Sequence, residues 1–228
     1  LSGVWKSQYY PNQKGKRIFG NSRFLYFREI KGKSKQKGKL MIYYISDIHL
    51  DDQKIFDKCS RPFSGLKEYK EEIIRRWNGK VKNDDTIYVL GDIVEDTSVD
   101  SIETFRRLNG VKHFIIGNHD LQLLDAIKES RIFETIDFMS LIDDEGRKVC
   151  ICHYPVMDWV EFNRKGIHVY GHVHNKTAKN GKAYAEIKQY YLDKPAYNCG
   201  VDVTNYEPVT LDEMIRLKEL NKDGPYIN

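Results

Sequence analysis

Residues 113–120 read HFIIGNHD: a short apolar run, a glycine, then an amide, an imidazole and a carboxylate in consecutive positions. Alone, the triplet Asn118-His119-Asp120 reads as a polar turn after a buried strand. Four other apolar runs end in the same manner. MIYYIS (41–46) is followed by Asp47 and His49, and TIYVL (86–90) by Gly91-Asp92. VCIC (149–152) is followed by His153, and IHVYG (167–171) by His172 and His174. All five runs are short, rich in β-branched and aromatic residues, and bounded by polar turns, which is the pattern of a strand. Ligands of open α/β sheets gather at the carboxyl ends of strands. Five strand ends that each carry metal-binding side chains therefore point to one shared site.

The segments between these runs carry a helical period. Leu66, Tyr69, Ile73 and Trp77 recur on one face, as do Ile102, Phe105 and Leu108. The second group predicts a helix that starts at Asp100, with Glu103 three residues on, and stops at Gly110. Thr210 with Glu213 opens a last helix through Leu220 in the same way. Alternating strands and helices over this length predict an α/β architecture with helices covering a sheet. His113 and His168 precede or lie within strands and are expected in the core or on the surface.

A chain of 228 residues, 40% hydrophobic and 31% charged, fits one ordinary soluble domain with room for an extension, or at most two small domains. No apolar run approaches the roughly 18 to 20 residues of a membrane span. No signal-peptide core is apparent, so a cytoplasmic protein that does not engage membranes is expected. Cys59, Cys150, Cys152 and Cys199 form no C-x-x-C pair and read as buried thiols in a reducing compartment.

Charge divides the chain at about residue 40. Residues 1–40 hold eleven Lys/Arg against the single acid Glu29, a net +10, whereas the other 188 residues hold 26 basic and 32 acidic side chains, a net −6. We read 1–40 as a basic, aromatic-containing extension and 41–228 as the catalytic domain. RFLYFREI (23–30) is predicted as a strand, and KGKSKQKGK (31–39) as a solvated linker. Basic residues interleaved with aromatics can bind nucleic acid; the plainer alternative is an accessory hairpin or tail kept soluble by its lysines.

Carboxylate, imidazole and one amide oxygen, with no thiolate, suit divalent Mn, Fe, Zn, Ni, Co or Mg, of which Mn is favoured here. Six or seven such side chains exceed the needs of one tetrahedral zinc and match a centre of two divalent ions bridged by a carboxylate. Glycines before Asp92, Asn118 and His172 let the backbone come close to the ions without a Cβ in the way.

The order D-x-H, G-D, G-N-H-D, H, G-H-x-H resembles the calcineurin-like metallophosphoesterases, over residues 41 to about 215. CSRPF (59–63), RRWNGKVKNDDTIYVLGD (75–92) and NCGVDVTNYEPVTLDE (198–213) look closest to a small bacterial and phage branch of phosphoesterases. The resemblance implies a four-layer α-β-β-α sandwich of two mixed sheets with the site at one rim. It further implies that Asp47, His49 and His174 hold a first metal, that Asn118, His153 and His172 hold a second, and that Asp92 bridges them. His119 then assists the leaving group and Asp120 orients its imidazole. The same roles follow from need: two cations can make hydroxide from a bridging water near neutral pH, and a histidine suits leaving-group protonation.

The expected reaction is hydrolysis of a phosphomonoester or small phosphodiester, with Arg61, Asn175 and Asn198 as candidate contacts to the substrate phosphate. A nuclease using the basic arm is the enzymatic alternative, and a metal-bound binding scaffold without catalysis is the non-enzymatic one. Two departures from the resemblance narrow the choice. Serine/threonine protein phosphatases carry an arginine shortly after G-D-x-x-D, whereas this chain reads GDIVEDTSVD, so protein phosphatase activity is not expected. The close branch has a glycine and a second histidine after D-x-H-F, whereas this chain reads DIHLDDQ.

Overall fold

The computed structural model describes residues 39–95, 99–175 and 182–220. The strand predicted at 23–30 and residues 31–38 of its linker lie outside them. The first part of the described chain runs β1 (Ile42–Ile45), α1 (Gln53–Lys58), α2 (Leu66–Lys80), β2 (Thr86–Val89), α3 (Val99–Thr104), β3 (Val111–Ile115), α4 (Leu124–Ser130) and β4 (Thr135–Asp137). The second runs β5 (Met139–Asp144), β6 (Arg147–Cys152), β7 (Ile167–Tyr170), α5 (Lys182–Tyr191), β8 (Ala196–Asn198) and α6 (Leu211–Leu220).

Two four-stranded sheets result, ordered β1-β2-β3-β4 and β5-β6-β7-β8. The second is mixed, with β5 antiparallel to β6 and the other two pairs parallel. Among the described residues, the strand pairs of the first are parallel, and its antiparallel component is the Tyr44–Val209 bridge.

Strand alternation builds the layers, because successive side chains point to opposite faces. Tyr43, Ile45, Ile87, Val89 and Phe114 point one way, into a core shared with Tyr69, Ile73 and Trp77 of α2 and Ile127 of α4. Tyr44, Tyr88 and Ile115 point the other way and meet Val149, Ile151, Ile167 and Val169 of the second sheet. The far face of that sheet carries Cys150 and Tyr170, packed with Trp159 and Tyr191. Three apolar cores separate four layers, which is the α-β-β-α sandwich expected.

Local signals account for the longer helices. The buried stripe Tyr69-Ile73-Trp77 fixes α2. At the start of α6, the Thr210 amide donates to Glu213 Oε2 at 2.7 Å and the Glu213 amide donates to Thr210 Oγ1 at 3.3 Å, a reciprocal cap. The helix predicted from Asp100 to Gly110 is shorter than expected. It begins at Val99, passes into a 3-10 turn at Phe105–Arg107, and then extends. Side chains of α2 take over its end: Asn78 Nδ2 donates to the Arg107 carbonyl at 2.8 Å, and Trp77 Nε1 to the Asn109 carbonyl at 2.9 Å.

All four cysteines are buried and unbridged. His168 is buried between Trp159 and Tyr170, and His113 stacks on Tyr88 within β3. Among the described residues, no helix is long and apolar enough to cross a membrane.

Candidate active site

The carboxyl ends of β1, β2, β3, β6 and β7 converge where the two sheets meet. The chain stitches them there: the Ser46 amide donates to the Cys199 carbonyl at 3.1 Å, and the Val201 amide to the Ser46 carbonyl at 3.0 Å. Five of the metal-ligating candidates hold a left-handed backbone: Asp47, His49, Asp92, His172 and His174 have φ between 45° and 69°. That conformation costs energy for residues with a Cβ, and its concentration at one rim marks a site where geometry is imposed. The glycines act by closeness. A Cβ on Gly117 would lie 2.2 Å from Asp92 Oδ1, and one on Gly171 would lie 2.5 Å from Asp47 Oδ2.

The side chains form two adjoining groups. In the first, donor atoms of Asp47, His49 and His174 lie within 4.8 Å of one another, and His174 Nε2 is 3.5 Å from Asp47 Oδ1. In the second, Asp92, His153 and His172 converge, and Asn118 Oδ1 lies 3.1 Å from His153 Nε2 and 2.9 Å from His172 Nδ1. Asp92 stands between them, its Oδ2 3.7 Å from His49 Nε2 and 3.3 Å from His153 Nε2. Each group draws on both sheets, since Asp47, His49, Asp92 and Asn118 follow the first sheet's strands and His153, His172 and His174 the second's.

These residues fit divalent cations. His49 is fully buried, yet among the described residues neither of its ring nitrogens has a hydrogen-bond partner. Orphaned buried polar atoms are rare, and a coordinated ion would satisfy them. His153 is held by the Leu90 carbonyl at Nδ1 (2.7 Å) and His174 by Asp202 Oδ2 at Nδ1 (2.7 Å), so in both rings Nε2 is aimed at the carboxylates. Burial works against charge on these imidazoles. The Asp92 hydrogen bond nevertheless lifts His153 to about 9, and Asp47 with Asp202 lifts His174 to about 10. The cage therefore attracts positive charge.

His119 sits at the mouth. Its ring packs edge-on against His49 with centroids 4.9 Å apart, and its Nδ1 lies 2.5 Å from Glu95 Oε2. This corrects the role expected of Asp120. The Asp120 carboxylate is buried beneath the site and accepts the amides of Asp92 and Gly117 at 2.7 Å and of Ile93 at 3.2 Å. Burial and the neighbouring Asp92 charge raise it to about 6. It shapes the loops that carry Asp92 and Asn118, and Glu95 is the carboxylate on the His119 ring.

Two expected substrate contacts also point elsewhere. The Arg61 guanidinium is enclosed: Nε and Nη2 donate to the two oxygens of Asp202 at 2.9 and 3.2 Å, and Nη1 and Nη2 to the carbonyls of Ile48 and Asp47 at 2.7 and 2.8 Å. Asn198 Nδ2 donates to the His174 carbonyl at 3.0 Å while its Oδ1 accepts the Gly200 amide at 2.8 Å, so it braces the β7 and β8 loops. Asn175 is half-buried directly after His174.

Glu95 and Asp202 were not among the expected site residues. Glu95 is three positions beyond Asp92 in GDIVE, and Asp202 four beyond the end of β8. Both are acids just past a strand end, the signal that marked the others.

The model of the calcineurin-like phosphoesterase superfamily domain matches residues 40–187. The chain belongs to this superfamily. Membership places it among phosphoester hydrolases, with the clusters above as candidate metal ligands. An uncharacterized protein of Methanocaldococcus jannaschii is 32% identical over 189 residues, covering 82% of this chain and 96% of that protein. The gene 66 protein of Mycobacterium phage L5 is 26% identical over 81 residues, covering 34% of this chain and 39% of the phage protein. The crystal structure of a protein of unknown function from Aquifex aeolicus shares the fold, with a TM-score of 0.62 at 24% identity, covering 78% of this chain and all of that one.

Proposed function

We propose that this calcineurin-like phosphoesterase is a dinuclear enzyme that hydrolyses a phosphomonoester or small phosphodiester. The observation that carries the reading is the position of Asp92, whose Oδ2 faces His49 of one ligand group and His153 of the other. Asp47, His49 and His174 would hold one ion, Asn118, His153 and His172 the other, and Asp92 both. Mn is the favoured occupant. When bound, such ions supply a water of lowered pKa as nucleophile and neutralise phosphoryl oxygens.

The protein's own groups handle the leaving group. Glu95 on Nδ1 fixes the orientation of the His119 ring. The Nε2 proton then passes to the departing oxygen, so that an alcohol leaves instead of an alkoxide. Asn175 is the remaining candidate for a phosphate contact, with Arg61 serving as buried support and the half-buried Asn198 as a brace between loops.

A nucleic-acid substrate is the second reading, favoured by the +10 charge and interleaved aromatics of residues 1–40 beside a −6 remainder. One screen tests both readings. Turnover is measured with Mn, Ni, Mg and Zn on p-nitrophenyl phosphate, its bis-ester, 2′,3′- and 3′,5′-cyclic nucleotides and single-stranded oligonucleotides. Absence of turnover with every metal would sink the enzymatic proposal. Cleavage confined to the oligonucleotides would favour the second reading over the first.

A further inference from the structure

Arg61 and Asp202 take no part in the steps above, yet both are buried directly behind the first ligand group. Asp202 Oδ2 meets His174 Nδ1 at 2.7 Å, which places the ring proton on Nδ1 and turns the Nε2 lone pair toward Asp47. Arg61 holds both oxygens of Asp202, so that carboxylate has little freedom to turn away. The same guanidinium donates to the carbonyls of Asp47 and Ile48, within the left-handed turn that presents Asp47 and His49. Tyr69 of α2 stacks under the guanidinium at 4.7 Å and donates its hydroxyl to the Ile48 carbonyl. One buried cation thus braces His174 through Asp202 and the turn that carries Asp47 and His49 through its backbone carbonyls. The second group is more open: the Leu90 carbonyl holds His153 as Asp202 holds His174, but His172 and Asn118 are half-buried, and the Asn118 oxygen stands between the two imidazoles.

We infer that Arg61 and Asp202 are positioning residues that make the first ligand group the tighter of two unequal metal sites. Arg61 acts through Asp202 and the Asp47–His49 turn, and touches no substrate. A site whose ligands are already oriented loses little freedom when an ion arrives, whereas one that must settle its ligands binds more weakly. The inference rests on the dinuclear reading of the same site.

The test is calorimetric titration of the metal-stripped full chain with Mn²⁺ alone, with far-ultraviolet circular dichroism to confirm folding. The wild type is expected to show two events of unequal affinity. Asp202→Asn keeps the shape and an acceptor for Arg61 but loses the charge on the His174 ring. It should weaken the tighter event about 10- to 100-fold, the usual effect of removing such a partner, and leave the weaker event in place. Arg61→Lys should act in the same direction, and it decides by the same criterion if Asp202→Asn does not fold. His172→Ala should weaken only the weaker event. A folded Asp202→Asn protein with an unchanged tight event, or with both events weakened alike, would overturn the inference. So would an Arg61→Lys protein whose KM for p-nitrophenyl phosphate rises while metal binding is unchanged, since that marks a substrate contact. A single event in the wild type sinks the dinuclear reading and the inference with it, whereas two events that Asp202→Asn leaves unchanged sink the inference alone.

Discussion

Glu95 Oε2 and His119 Nδ1 meet at 2.5 Å although 24 residues separate them in the chain. The contact joins the loop after β2 to the loop after β3 and turns the His119 ring across the mouth of the ligand cage. If His119 delivers a proton to the leaving group, His119→Ala should lower kcat by about 10²- to 10⁴-fold, the range for a general acid. Metal content should be unchanged, because His119 is outside both ligand groups. Glu95→Gln should cause a smaller loss, and the loss should shrink for substrates with acidic leaving groups such as p-nitrophenol. Steady-state kinetics on p-nitrophenyl and alkyl phosphates measures both, and equal losses across the two would refute the assignment.

Gly117 tolerates no side chain. A Cβ there would meet Asp92 Oδ1 at 2.2 Å, the Asp92 amide at 2.7 Å and Asp120 Oδ2 at 2.9 Å. Two of these are the carboxylates that shape the site, and the third is backbone. Gly117→Ala is expected to cost about 1–3 kcal/mol through overpacking and to reduce bound metal. Urea unfolding and elemental analysis provide the check, with Gly79→Ala as the control because its added Cβ has nothing within 4 Å.

His168 should make stability depend on pH. Burial pushes this imidazole down to about 4, and its Nδ1 sits on the Cys150 carbonyl at 3.1 Å. Between about 6.5 and 4 the unfolded chain binds a proton here that the folded chain does not, so stability falls as pH falls through that window. Above it His168 contributes no slope. The integrated loss is on the order of 3 kcal/mol. His168→Gln should flatten the dependence relative to wild type in metal-loaded protein, measured by urea midpoints at pH 7.5 and 5.

Chelation should destabilise the fold as well as stop the reaction. An ion that binds only the folded chain adds about 2.7 kcal/mol at a concentration one hundred times its Kd. The midpoint of thermal unfolding should therefore fall on addition of EDTA and recover with Mn²⁺. An unchanged midpoint would mean that these ligands hold no ion in solution.

Most of this candidate site is legible in the sequence because the side chains it brings together directly follow strands that are buried on both faces. Runs such as IHVY, all four of whose residues are buried, leave little doubt about type or end point. Strands β4 and β8 escape notice at three residues each, and β5 reads MSLIDD, whose acids mask its alternation although Asp144 is buried against the Tyr44 hydroxyl at 2.9 Å. With β8 unseen, the strand-end position of Asp202 goes unseen too. The error over Arg61 has another origin. A cation near a phosphate site invites a contact with phosphate, and a linear sequence does not tell which side of the cage the guanidinium lies on. Asp120 misleads in the same way: adjacency to His119 in the chain suggests contact, but the backbone turns there and presents the carboxylate to three amides.

Each ligand group takes side chains from both sheets, and this makes the site a gauge of alignment. The sheets touch across an apolar core that is forgiving about small displacements, because hydrophobic contact is non-directional. Metal coordination is far less forgiving. A shift of one sheet along the other by a single residue would part Asp47 from His174 and Asp92 from His153 together. A chain whose sandwich has closed in the wrong register would keep much of its core and retain no ions. On the dinuclear proposal, metal retention is therefore a more stringent assay of correct assembly in this protein than compactness or secondary-structure content.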